Sequence, residues 1–158
     1  MIVLALVAGL GVLATLTALV PRAVRVKLVA GLLGLVEIVG GATAIRVLAT
    51  NHAIVGHTSS LVPFTGVRID LTPLGALFTL TTDVVAIAAT IHWVGYRRHA
   101  MSSVSLSSAF ALFVTSLLLV PAAGDIVTFL VLWEVMALSS LVLVAHDHAK
   151  RDETRQAA

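Results

Sequence analysis

No cysteine occurs among the 158 residues. That excludes disulfides, thiolate zinc sites and iron–sulfur ligation by this chain. Charge is scarce too: 11% of residues are Asp, Glu, Lys or Arg, where a soluble domain carries about a quarter. Lysine occurs only at Lys27 and Lys150. A phosphate loop, a dinucleotide glycine fingerprint and a plausible nucleophilic triad are all missing, so no catalysis is expected of the chain alone, and no cofactor. The histidine pairs His52/His57 and His146/His148 lack supporting ligands at metal-site spacing, so no metal site is expected. No basic n-region precedes Pro21, so the first apolar segment reads as a retained span and not as a cleaved signal.

What is present is hydrocarbon. Hydrophobic residues make up 59% of the chain, gathered in runs long enough to cross a bilayer. The expected architecture is therefore all-α: one polytopic transmembrane domain over residues 1–158. Five spans are expected, at about 2–20, 26–48, 73–96, 104–122 and 125–145. None of the runs alternates as a membrane β-barrel strand would. Asp70 or Thr72 is placed to cap a helix beginning at Pro73, and Asp125 to cap the fifth. Residues 49–72, with Asn51, His52, His57, Ser59, Ser60, Pro63 and Gly66, read as a polar loop across one membrane face. Residues 147–158 read as a polar tail. Arg22, Arg25, Lys27, Arg97, Arg98, Lys150, Arg151 and Arg155 all fall on one side of this arrangement, and only Arg46 and Arg68 on the other. The positive-inside bias then puts the N-terminus outside and the C-terminus in the cytoplasm of a cell-membrane protein. Basic residues placed this way are topology signals, and no nucleic-acid partner is expected.

Three acids fall inside the runs: Glu37, Asp83 and Glu134. A charge at the centre of a span costs at least ~2.5–3.5 kcal/mol on insertion scales. Each acid therefore needs a proton or a partner. Around Glu134 the positions three, four and seven away are Val127, Leu130, Val131, Ala137, Leu138 and Leu141. None is polar, so a partner must come from another helix, a hydrated cavity or another subunit. Asp83 shares a face with Thr79 and Thr90, a stripe that either lines a hydrated path or is a satisfied packing face. Glu37 lies among Gly31, Gly34, Gly40, Gly41 and Ala44, which suit a tight helix pair. His92, near the end of the third span, is either interfacial or a relay. Glu134 is the leading candidate for a proton or ion pathway, followed by Asp83, Glu37 and His92.

The segments "GVRIDLTPLGALF", "HWVGY" and "SSAFALFVTSLLLVPAAGDIVTFLVLWEVMALSSLVLV" resemble the N-terminal part of the antiporter-like membrane subunits. These occur in respiratory complex I, in hydrogenase-4 and formate hydrogenlyase, and in multisubunit cation/proton antiporters. The likeness covers about residues 64–158 and rests on Asp70, Gly95–Tyr96, Phe110 and Phe113, Asp125, Trp133–Glu134 and Leu138–Ser139–Ser140. The Asp70 segment departs from the family's small-Ser-aromatic pattern, and no family motif reaches Glu37 or Asp83.

The resemblance implies that Glu134 pairs with a lysine two helices further on, and that the pair couples redox chemistry to proton movement. A Glu⁻/Lys⁺ pair in low dielectric ties the two titrations together. The family's subunits have a dozen or more helices, whereas five are expected here and neither lysine falls in a span. The expectation is a split subunit or a truncated remnant inside a membrane oxidoreductase complex of the NADH–quinone or hydrogenase type. Its partners would be lipid and other integral membrane subunits, one supplying an intramembrane Lys. The alternatives are a non-conducting structural or assembly subunit and a small independent oligomeric transporter.

Overall fold

The computed structural model describes residues 9, 12–13, 22–58, 66–97 and 104–156. It is mostly helical. Helix α1 runs Arg22–Thr50, α2 runs Pro73–Arg97, α3 runs Val104–Leu119 and α4 runs Ile126–Gln156; a hairpin of β1 (Ile54–Thr58) and β2 (Val67–Leu71) joins α1 to α2. Four helical stretches are long and apolar enough to cross a membrane: Val24–Thr50, Pro73–Gly95, Val104–Ala122 and Ile126–Ala145. They coincide with the last four expected spans. The first expected span, 2–20, lies outside the described residues except for Gly9, Val12 and Leu13, which are helical.

Local chemistry sets the boundaries. Helix α1 ends at Asn51, whose φ of 53° gives the left-handed residue that closes many helices. At the start of α2, Thr72 is the capping residue and not Asp70. Its hydroxyl accepts the Gly75 N–H at 3.1 Å and its carbonyl accepts the Ala76 N–H at 2.7 Å, with Pro73 at the first helical position, where a missing N–H costs nothing. Helix α3 gives way to a 3₁₀ turn over Val120–Ala122 that contains Pro121. Asp125 then caps α4: its Oδ1 accepts the Thr128 N–H at 2.8 Å and its carbonyl accepts the Phe129 N–H at 3.0 Å.

The segment expected as a polar loop, 49–72, holds the antiparallel hairpin, paired from Ile54↔Leu71 to Thr58↔Val67. The correction has a simple cause. Val67, Ile69 and Leu71 alternate with Arg68 and Asp70, the period of a strand with one face in the core. Leu71 is buried with Ala44, Val47, Ala76 and Ala122, and Ile54 and Ile69 pack against them. Strand β2 also grips the α3–α4 turn. The Gly124 N–H donates to the Arg68 carbonyl at 2.9 Å, the Arg68 N–H donates to Thr128 Oγ1 at 3.0 Å, and Ile69 bridges Ala123. The α2 backbone comes close to this turn at Gly75, where a Cβ would stand 2.5 Å from the Pro121 carbonyl oxygen. Any other residue there would push the two elements apart.

The helices form antiparallel pairs, α1 with α2 and α3 with α4, and α3 packs on the first pair. The main core takes Val29, Leu33 and Val36 from α1, Ala86 and Trp93 from α2, and Phe110, Ala111, Val114, Leu118 and Leu119 from α3. The Trp93 and Phe110 rings stack at 5.0 Å, 7° from parallel. Helix α4 stands apart: 11% of its apolar stretch is buried against 44% of that in α1. It also continues through the segment expected as a tail, to Gln156.

Candidate functional site

Apart from Gly75 at its start, the buried residues of α2 fall on one stripe, Ala76, Thr79, Asp83, Ala86, Thr90 and Trp93, alternately three and four apart. That spacing keeps them on one helix face. The stripe lies against Glu37, Gly40, Gly41 and Ala44 of α1. Glu37 is 3% exposed and Asp83 4%, each near the midpoint of its apolar stretch. The two acids, read separately from the sequence, are thus neighbours in one seam.

Their surroundings differ. The Thr90 hydroxyl donates to Glu37 Oε1 at 2.5 Å. The Asp83 side chain lies flat on the α1 backbone at Gly41, where a Cβ would collide with Oδ2. Only glycine lets the helices close around this carboxyl. Among the described residues no hydrogen bond reaches Asp83, and its buried Oδ1 and the buried Thr79 Oγ1 one turn earlier are both without a partner. Beside Thr79 is a void of about 10 Å³ bounded by Gly40, Thr43 and Thr79 of the seam, by Leu71 of β2 and by Leu118, Leu119 and Ala122. That is room for about one water. The Thr43 hydroxyl donates to the Val39 carbonyl at 2.6 Å, leaving its oxygen lone pairs available to the void.

No basic side chain enters the seam among the described residues. Arg25 and Arg46 lie twelve and nine residues from Glu37 on α1, roughly 18 and 14 Å along the helix. Helix α3 has no charged residue at all.

Glu134 is not part of this seam. It is exposed near the middle of the apolar stretch of α4, on a face it shares with exposed Leu130, Val131, Trp133, Leu138 and Leu141. No hydrogen bond or ion pair joins it among the described residues. His92 is exposed towards the far end of α2, off the buried stripe. Of the four pathway candidates, the fold brings Glu37 and Asp83 together and leaves Glu134 and His92 apart from them. Thr79 belongs to the stripe that the sequence shows around Asp83, whereas Thr43 enters only through the pairing of α1 with α2.

The hairpin end carries its own acids. Asp70 Oδ2 is 3.6 Å from Arg68 Nη2, an ion pair half open to solvent and so of little energetic weight. The Asp125 carboxyl is held below the usual carboxylate range. The Thr128 N–H is the main cause, helped by the Thr128 hydroxyl and the backbone N–H groups of Val127 and Arg68.

No protein-family profile matches the chain. Two proteins of Mycobacterium tuberculosis are similar to it: uncharacterized protein MT0090 of strain CDC 1551 / Oshkosh and uncharacterized protein Rv0083 of strain H37Rv. Each is 43% identical over 95 residues, which make up 60% of this chain but 15% of the relative. The chain thus matches a minor part of the length of these curated relatives.

Proposed function

We propose that the chain works as an antiporter-like membrane subunit, whole or in part, in proton or cation translocation within a larger redox-driven complex of the cell membrane. The observation that carries this reading is Glu134. A carboxyl at mid-span on an exposed, otherwise apolar helix face is costly in hydrocarbon. It becomes tolerable when another helix covers the face and brings a cation. The same helix has the Trp-Glu and Leu-Ser-Ser pattern that resembles the antiporter-like subunits. The greater length of the mycobacterial relatives leaves ample room for further helices, one of which would hold the lysine. In this reading residues 2–20 form a fifth span, the hairpin end faces outward and the basic end faces the cytoplasm.

Glu134→Gln tests the proposal. The change keeps shape and removes the charge. In vesicles containing the assembled complex, proton uptake should fall at least tenfold while the other subunits remain bound. Unchanged uptake would leave the alternative, a structural subunit whose α4 face only packs against its neighbours.

A further inference from the structure

The α1–α2 seam is a second ionisable site, on a different part of the bundle from Glu134. We infer that Glu37 and Asp83 together bind a single proton, resident on Asp83, with Glu37 as the counterpart anion. Two buried carboxylates side by side with no cation in reach do not both stay ionised. The surroundings decide which of them keeps the charge. Glu37 accepts the Thr90 O–H at 2.5 Å, the kind of bond that stabilises a carboxylate. Asp83 has no donor among the described residues, and its Oδ1 is sealed from solvent. An anion there would be unsolvated, whereas a carboxylic acid has an O–H to give. The unpartnered Thr79 Oγ1, on the next turn of the same face, is available to accept it. The void beside Thr79 and Thr43 has room for the one water needed to pass that proton towards the hairpin end.

Among the described residues no other charged group lies beside the pair. Helix α1 offers Arg25, buried but twelve residues from Glu37, roughly 18 Å along the helix, and Arg46, exposed and nine residues away; α2 offers His92, exposed and nine residues from Asp83. Helix α3 has none, nor does the apolar run 2–20. Arg68 and Asp70 of the hairpin pair with each other.

Infrared spectroscopy of the full-length chain in lipid vesicles tests this, in a Glu134→Gln background that removes the third mid-span acid. The remaining carboxyls lie outside the four apolar stretches. At pH 7 one protonated-carboxyl C=O band is expected, with the intensity of a single group and a shift in D₂O. Asp83→Asn should abolish it. Glu37→Gln should keep it but lower the pH at which it disappears by at least about one unit, because the neighbouring negative charge is gone. The inference is overturned by no such band at pH 7, by a band of two-carboxyl intensity, by a band that survives Asp83→Asn, or by a band that vanishes when sodium is added at constant pH. The last result would make the occupant a metal cation. Should Asp83→Asn not fold, as judged by circular dichroism, the intensity, D₂O shift and sodium response of the parent chain decide the matter alone. Failure here leaves the Glu134 reading untouched, since the two sites share no residue.

Discussion

Asp125, the Glu37–Asp83 pair and Glu134 occupy three different settings, and the setting decides what each can do. Asp125 sits at a helix start with amide and hydroxyl donors aimed at it, so its charge is an asset. A carboxyl whose value is depressed by folding adds stability above its unfolded value, about 3.9 for Asp. That contribution is lost as pH falls through the lower folded value. Asp125→Asn should therefore lower the melting temperature at pH 7, and the gap from the parent chain should narrow in scans below about pH 4. Glu37 and Asp83 have the opposite problem, seclusion without a cation. Glu134 is solitary on an outer surface. All three mid-span acids stood out in the sequence, because a carboxylate in an apolar run is conspicuous. That two of them meet did not, since each helix shows its own stripe but says nothing about which other stripe it will face.

At the scale of elements, the helix ends were the most legible feature. Thr72–Pro73 and Asp125 act as local signals whose effect reaches one turn, and both mark true helix starts. The hairpin was missed because the polar residues around it, among them Asn51, His52, Ser59 and Ser60, were given more weight than the short alternation from Val67 to Leu71. Its value is clearest at Leu71, 1% exposed and enclosed by α1, α2 and the α3–α4 turn. Leu71→Ala removes a fully buried side chain from a junction of four elements. The expected loss is about 2–5 kcal/mol, measurable by denaturant unfolding in detergent. The β2 contacts to Gly124 and Thr128 should weaken with it. An effect under ~1 kcal/mol would mean that the hairpin merely rests on the bundle.

For the molecule as a whole, composition and run length were enough to expect apolar spanning helices. They could not foretell how unevenly those helices are buried. Helices α1, α2 and α3 enclose a common core, while α4 presents most of its surface outward. The outward face belongs to α4, the secluded seam to α1 and α2. The two ends of the bundle also differ. At one of them β2, Pro121, Gly124 and Thr128 knot three helix termini together through backbone contacts and the Thr128 hydroxyl. Towards the opposite end the stacked Trp93 and Phe110 rings join α2 to α3. A body fastened in this way pivots at the fastening, and displacements grow with distance from it. Amide hydrogen exchange should accordingly be slowest at residues 67–71 and 123–128 and speed up along α1 towards Arg22. A flat profile would show that the helices move as one rod.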